Sequence, residues 1–306
     1  RKLMRENNIE IVFLTSPLNF RYFTGLDSYF WESPTRPWFL LIPLEQEPIL
    51  IVPSIGKTAL KRTWIKNIVT WISPNPDDEG ITKLQKTILS ICPKKCFIGC
   101  ELGKESQLRM PINDYQKLCK LLPNHKFIDS SQLIWKLRMI KSSNEILKIK
   151  KICKIASQAF DQLPNLLKPQ QTEIQICTIL KKSMLELNAD HTLYMSCASG
   201  KGGYDQIICD PTNKQLQYGD ILYIDTGSTY DGYFCDFNRN FAFNNISENS
   251  KIAYDLLWKA TEAGMKIAKP GTSCSEISKA MISILNKKGL TNNSVGRMGH
   301  GLGLQL

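Results

Sequence analysis

Short apolar runs alternate with longer amphipathic stretches along the first half of the chain. Runs at 9–14, 38–43 and 48–53 are rich in Ile, Leu, Val and Phe, which is typical of strands, and the last two can pair as a hairpin. Strands that alternate with helices predict an α/β layer. A further strand is predicted at 95–101, and helices at 54–64, 78–91 and 110–122.

The second half opens with a helical pattern. Ser142 or Ser143 can cap a helix that has Glu145 in its first turn, and apolar residues follow at helical spacing. This places a domain boundary between residues 137 and 138. Farther along, we predict a helix at 172–187, strands at 192–197 and 206–209 on either side of a glycine-rich loop at 199–203, and helices at 250–269 and 274–288.

Residues 219–239 have the pattern of a β-hairpin with acidic side chains. Apolar residues lead to a turn that ends in Asp231-Gly232, and aromatic residues follow. Asp225 and Asp236 lie on opposite arms, so strand pairing lets both carboxylates reach one point. Two carboxylates that close repel each other unless a proton or a cation lies between them, and hard divalent ions bind oxygen ligands. A bound divalent ion is one interpretation, and a pair of solvated acids beside a turn is the other.

Composition and charge narrow the class of protein. The 306 residues are 42% hydrophobic and 22% charged, as expected for a soluble globular protein with room for two domains. The net charge of +11 comes from Lys and Arg spread along the chain, and no apolar run is long enough for a membrane span or a secretory signal. We therefore expect a cytoplasmic protein with no nucleic-acid and no membrane partner.

The chain has ten cysteines. Cys92, Cys96 and Cys100 are separated by three residues each, unlike the C-x-x-C pairs of a zinc ribbon. We expect nearly all ten to be reduced cysteines in the cores of a cytosolic protein.

Several separate motifs resemble those of one family of metalloenzymes. The hairpin carries Asp-x-Gly at 225–227 and Asp-x-x-Arg at 236–239, and the turn at 299–303 reads Gly-His-Gly-x-Gly. This combination resembles the metal-binding motifs of the pita-bread metallohydrolases, which include methionine aminopeptidase, aminopeptidase P, prolidase and creatinase. The segment 16–25 is similar to the Pro-x-Asn-x-x-Tyr-x-Thr-Gly segment of the N-terminal domain that methionine aminopeptidase lacks.

The resemblance implies a fold and a ligand set. The expected fold is an α/β N-terminal creatinase-type domain at 1–137, followed by an α+β pita-bread catalytic domain at 138–306 whose C-terminal part is truncated. Two divalent metal ions (Mn, Fe, Co or Zn) are implied, with Asp225 binding one ion, Asp236 bridging both and His300 supplying a nitrogen ligand. Two further Glu ligands are expected beyond residue 306, so the chain is expected to be a fragment. Relatives of this type are usually dimers, which implies a homodimer.

One position departs from the family pattern. Peptidases of the family have a His, which stabilises the tetrahedral intermediate or receives a proton, at the position of Ile208 in this chain. The residues that follow Ile208 are Cys209, Asp210 and Pro211. Either Asp210 takes over part of that role as a base, or the site serves different chemistry.

The resemblance implies divalent-metal-dependent hydrolysis of a C–N bond, as in an Xaa-Pro aminopeptidase or dipeptidase. The first alternative is a non-peptidase that acts on a small zwitterion, as ectoine hydrolase or dimethylsulfoniopropionate lyase does. For such a substrate, Tyr29, Trp31 and Trp38 are candidates for binding a cationic group, although packing in an aromatic core is the favoured explanation for them. The second alternative is a metal-free binding module.

Overall fold

The computed structural model describes residues 1–286 and 296–306. It forms two compact units, Arg1–Lys141 and Ser142–Leu306, whereas the sequence placed the boundary between residues 137 and 138. The last two residues of the helix predicted at 274–288 lie outside the described part of the chain. Among the described residues, no helix has the length and apolar character that crossing a membrane requires.

The first unit is an α/β layer built on a six-stranded sheet, as predicted. The strand order is β4-β3-β2-β1-β5-β6, in which β2 runs antiparallel to both neighbours and the other pairs are parallel. The strands are β1 Ile11–Leu14, β2 Phe39–Pro43, β3 Ile49–Pro53, β4 Asn67–Trp71, β5 Phe97–Cys100 and β6 Lys126–Asp129. The helices are α1 Lys2–Glu6, α2 Pro17–Thr24, α3 Ile81–Ile91, α4 Ile112–Leu121 and α5 Ser131–Met139. Apolar clusters fill both faces of the sheet.

One predicted helix of this unit is wrong. Residues 54–64 form two short 3₁₀ turns, Ser54–Gly56 and Ala59–Arg62, in place of a continuous helix. Gly56 lies against the ring of Trp38, so closely that a Cβ atom there would overlap the ring. This tertiary contact requires a sharp change of direction, which outweighs the helical propensity of the Ala-Leu-Lys-Arg run.

A buried carboxylate fixes the start of α2. Glu101 follows β5 and is 2% exposed. It accepts hydrogen bonds from the backbone N–H groups of Thr15 and Ser16, at 2.7 and 3.0 Å, and from the Asn19 amide at 2.6 Å. The Ser16 and Thr15 hydroxyls donate to it as well. The Ser-Pro-x-Asn segment therefore owes its position to a charged acceptor far away in the sequence.

We expect Glu101→Gln to lower the free energy of unfolding by about 2 to 4 kcal/mol, because an amide NH₂ would face donors that then have no acceptor. Urea denaturation measures the change. The control is Glu47→Gln, at an exposed carboxylate, which should leave the unfolding free energy unchanged. Equal stability of the two variants would contradict the role given to Glu101.

The second unit packs helices on one face of a three-stranded antiparallel sheet, β7-β8-β9. Capping boxes begin its first two helices, at Ser142 with Glu145 and at Thr172 with Gln175, and the first of these confirms the predicted cap. The helices are α6 Ser143–Leu166, α7 Glu173–Glu186, α8 Glu248–Ile267 and α9 Cys274–Asn286, and the strands are β7 His191–Lys201, β8 Asp220–Tyr230 and β9 Tyr233–Ala242.

Two predictions for this region are wrong. Residues 206–209 do not form a strand, and residues 199–201, predicted as part of a loop, belong to strand β7. Strand β7 continues through Lys201, paired with Asp220 at the start of β8. Residues 206–209 form an irregular segment, because their backbone is bound by the side chain of Ser196. This apolar run resembles a strand in sequence. It lies beside β7, where Cys197 N–H donates to the carbonyl of Cys209 at 3.3 Å, but it does not form a strand ladder there.

Candidate metal centre

The predicted hairpin is confirmed, and its register places the two carboxylates on one face. Asp225 of β8 lies opposite Asn238, and Asp236 of β9 lies opposite Gly227, so the two acids are diagonal neighbours across the ladder. The alternate positions of the same strands, including Leu222, point the other way into the core beneath α6 and α7. One face of the sheet thus stabilises the unit and the other carries the carboxylates.

A tyrosine from the third strand lies between the two acids. Tyr194 of β7 is paired with Gly227, and its hydroxyl lies 2.8 Å from Asp236 Oδ1 and 3.4 Å from Asp225 Oδ1. A Cβ atom at residue 227 would overlap the tyrosine ring. The Gly of the Asp-x-Gly motif is therefore required so that the ring can cross the strand and reach both carboxylates.

Two more side chains complete the cluster. The hydroxyl of Tyr223 lies 3.0 Å from Asp225 Oδ2, and Nε2 of His300 lies 2.9 Å from Asp236 Oδ2. The glycine-rich turn that carries His300 is tied to the hairpin, because Phe234 N–H donates to the carbonyl of Gly303 at 2.7 Å. The structure thus brings together the three side chains, Asp225, Asp236 and His300, that the sequence analysis named as metal ligands.

The electrostatics of the cluster suit a cation. Burial raises the pKa of Asp225, and the neighbouring charge of Asp236 raises it further, whereas the hydrogen bonds from Tyr223 and Tyr194 act in the opposite direction. Burial also raises the pKa of both tyrosines, so each remains a neutral donor. The donor set of two carboxylates and one imidazole fits divalent ions such as Mn, Fe, Co and Zn.

The segment that carries Asp210 lies beside this cluster. The Ser196 hydroxyl, opposite Asp225 on β7, accepts from Cys209 N–H at 3.0 Å, and the Tyr223 hydroxyl lies 3.2 Å from the carbonyl of Ile207. Asp210 itself is exposed, and among the described residues no hydrogen bond joins it to Asp225, Asp236 or His300.

A cavity of about 560 Å³ opens on the same segment. Its lining includes Asp210, Tyr204 and the buried Glu173. The Glu173 carboxylate accepts from Thr212 N–H at 3.0 Å and from the Ser199 hydroxyl at 2.8 Å, so it holds this loop against the start of α7. Tyr204 stacks on Tyr223, with ring centroids 4.7 Å apart, so the cavity adjoins the carboxylates through this aromatic pair.

The three aromatic candidates lie in the first unit and differ in exposure. Trp38 is 2% exposed and packs edge-on against Trp31, with ring centroids 5.1 Å apart, and against Phe20. The Trp31 ring is half-buried and lies 5.7 Å from the guanidinium of Arg109. Tyr29 is 83% exposed. Burial of Trp38 leaves no ring face for a ligand and favours the packing interpretation for that residue.

Two residues of the centre were missed at the sequence level, Tyr194 and Tyr223. Both lie at alternating positions of predicted strands, so a signal existed in the strand pattern. Their contact with the carboxylates depends on the β7-β8 register, which local sequence does not specify.

The fold and this face of the hairpin define a two-domain metallohydrolase with an N-terminal creatinase-type domain. Residues 147–306 match the model of metallopeptidase family M24, and residues 1–140 match the creatinase/prolidase N-terminal domain. The chain belongs to family M24, whose metallopeptidases depend on divalent metals, and it is a hydrolase.

Individual relatives agree with this family. An uncharacterized peptidase of Staphylococcus epidermidis is 28% identical over 313 residues, covering 100% of this chain and 82% of the relative. An Xaa-Pro dipeptidase of Lactobacillus delbrueckii subsp. lactis is 23% identical, covering 99% and 80%. The structure of an Xaa-Pro dipeptidase from Bacillus anthracis superposes with a TM-score of 0.84 at 23% identity, covering 100% of this chain and 80% of that one, which shows the shared fold.

We expect Tyr194→Phe to weaken Mn²⁺ binding and turnover by about 10- to 100-fold, because the hydroxyl that positions both carboxylates is lost while the ring still packs on Gly227. Calorimetric titration with Mn²⁺ measures the affinity. Tyr230→Phe, at the end of the same sheet, is the matched control and should bind metal as the wild type does. Unchanged affinity in Tyr194→Phe would contradict the positioning role.

Proposed function

We propose that this hydrolase cleaves the C–N bond of Xaa-Pro dipeptides or of the N-terminal Xaa-Pro bond of short peptides, with two divalent ions as cofactor. The observation that carries the proposal is the convergence of Asp225, Asp236 and His300 on one face of the hairpin. The M24 family match and the relative described as an Xaa-Pro dipeptidase support the substrate class.

The side chains divide the work in this proposal. Asp225, Asp236 and His300 hold the ions, which when bound polarise a substrate carbonyl and lower the pKa of water. The single hydroxyl proton of Tyr194 is donated mainly to Asp236, at 2.8 Å, and the same hydroxyl lies 3.4 Å from Asp225, so it keeps both carboxylates oriented toward a common point. Tyr223 donates a hydrogen bond to Oδ2 of Asp225 and so fixes the orientation of that carboxylate. Its ring stacks on Tyr204, and the two rings close one side of the site.

Asp210 is the proposed base. Its segment is anchored beside the cluster by Ser196, and its exposed carboxylate is free to approach a bound substrate. An acid at this position can take a proton from water and return it to the departing amine. This role replaces the histidine that the family pattern predicts at position 208.

Ile208 supports the alternative of a non-peptidase that acts on a small zwitterion. Its apolar side chain is 97% exposed and offers no proton donor or acceptor. A substrate that needs only a base beside the metal ions, as in removal of a proton next to a carboxylate, does not require the missing imidazole. The partly exposed ring of Tyr204, which stacks on the buried Tyr223, offers an aromatic face for a sulfonium or ammonium group in this alternative.

The cellular setting is also proposed. All ten cysteines are free thiols, which supports a reducing, cytoplasmic location. We propose a homodimer, by analogy with proteins of this type, and manganese as the first metal to test because carboxylate-rich sites favour it.

The complete gene product, loaded with Mn²⁺, is expected to hydrolyse an Xaa-Pro dipeptide and to leave ectoine and dimethylsulfoniopropionate unchanged. Asp225→Ala should abolish turnover, because a ligand of the two proposed metal ions is removed. Chromatography measures the loss of each substrate, together with release of an amino group from the dipeptide or from ectoine and of dimethyl sulfide from dimethylsulfoniopropionate. The control Asp161→Asn changes an exposed acid on α6 and should retain full activity.

Turnover of a zwitterion with none of the dipeptide would replace the peptidase proposal by the alternative. A protein that binds no metal and turns over none of the substrates would instead be the binding module considered at the outset.

For Asp210→Asn we expect kcat to fall by about 100-fold or more with little change in KM, because a neutral amide cannot accept a proton. Asp205→Asn alters an exposed acid on the same cavity wall and serves as the matched control. Steady-state kinetics on the preferred substrate give both constants. If Asp210→Asn matches the control, water or another group acts as the base.

A further inference from the structure

Two cysteines and a histidine of the first unit meet at one end of its sheet. Cys92 is the C-terminal cap of α3, Cys96 directly precedes β5, and His125 directly precedes β6. Strands β5 and β6 are parallel neighbours, and Lys126 N–H donates to the carbonyl of Cys96 at 2.9 Å. The topology therefore places Cys96 and His125 side by side, and the end of α3 brings Cys92 to them.

The ligand atoms of these three residues are already close. One nitrogen of His125 and the two sulfur atoms of Cys92 and Cys96 all lie within 4.8 Å of one another. Three side chains of the two types that zinc prefers thus face a common point. Neither Asp225 nor Asp236, nor any other residue of the carboxylate cluster, takes part in this group.

The histidine has one nitrogen in use and one without a partner. His125 Nε2 lies 2.9 Å from the carbonyl of Cys92, which fixes Nε2 as the protonated nitrogen. Nδ1 is buried and has no hydrogen-bond partner among the described residues. A buried lone pair without a donor is costly, and a second nitrogen that donates to a backbone carbonyl is the usual outer support of a metal-binding imidazole.

We propose that Cys92, Cys96 and His125 form a second metal site, for a thiophilic divalent ion of the Zn²⁺ type. Two thiolates balance the charge of the ion, Nδ1 of His125 supplies the third ligand, and water completes a four-coordinate set. The site joins the end of α3 to the adjoining strands β5 and β6, which gives it a stabilising function. The two cysteines are separated by three residues and the histidine lies far downstream. This spacing matches no common zinc motif, so the sequence alone does not indicate the site.

A disulfide between Cys92 and Cys96 is the competing arrangement, but it leaves Nδ1 of His125 without a partner. Burial raises the pKa of the Cys96 thiol, and the neighbouring Cys92 raises it further.

The first test uses Co²⁺ as a spectroscopic substitute for Zn²⁺ on the complete, reduced protein. A bound thiolate produces a sulfur-to-cobalt charge-transfer band that a site of carboxylates and imidazole does not. We expect the band to appear with wild-type protein and to disappear when Zn²⁺ is added. The double variant Asp225→Ala/Asp236→Ala should retain it, so the result is independent of the proposed function.

Variants locate the ligands. Cys92→Ser, Cys96→Ser and His125→Ala are each expected to weaken or abolish the band, whereas Cys274→Ser, at an exposed cysteine of α9, should not change it. Because a ligand variant can fail to fold, mass spectrometry of alkylated wild-type protein provides a second measurement. Zn²⁺ should protect Cys92 and Cys96 from alkylation and leave Cys274 reactive.

The proposal is overturned if reduced wild-type protein gives no charge-transfer band, if the band survives in both cysteine variants, or if Zn²⁺ leaves the alkylation of Cys92 and Cys96 unchanged. The proposal is also overturned if the protein is isolated with a Cys92–Cys96 disulfide and binds no zinc once that disulfide has been reduced. The pair would then be assigned to redox chemistry.

Discussion

The second unit depends on the placement of two like charges side by side in a half-buried setting. Asp225 and Asp236 share the hydroxyl of Tyr194, and burial together with their mutual repulsion raises the pKa of Asp225. Such a pair is stable only where neutral donors or cations surround it. The two tyrosine hydroxyls, the imidazole of His300 and the proposed ions all stabilise this pair of carboxylates. The pair itself exists because the hairpin register places Asp225 and Asp236 side by side.

The hairpin can hold the two carboxylates because one of its faces is apolar and packs in the core, while the other face is polar. Leu222 and Ile224 anchor one face against α6 and α7, and the carboxylates stand on the other. Gly227 has no side chain, so the ring of Tyr194 can cross the strand and reach both carboxylates. Strands β8 and β9 hold the two carboxylate ligands, while the irregular segment with Asp210 remains at the edge, where a substrate can reach it.

In the first unit, β5 has chemically specialised groups at both of its ends. Cys96 precedes the strand and belongs to the proposed zinc site, and Glu101 follows it and receives the donors of α2. Both groups connect elements that are distant in sequence, one by metal ligation and the other by charge-assisted hydrogen bonds. The sheet between them is apolar on both faces, so its polar chemistry is confined to the strand ends.

Local patterns were sufficient for the hairpin, for the capped start of α6 and for the family motifs at Asp225, Asp236 and His300, because each depends on residues close together in the chain. Non-local packing decided the rest. The 54–64 run became two 3₁₀ turns against Trp38, and the 206–209 run stayed irregular because Ser196 binds its backbone. Tyr194 joins the carboxylates, and His125 joins Cys92 and Cys96, only because strand pairing brings together residues whose separation in sequence carries no signal.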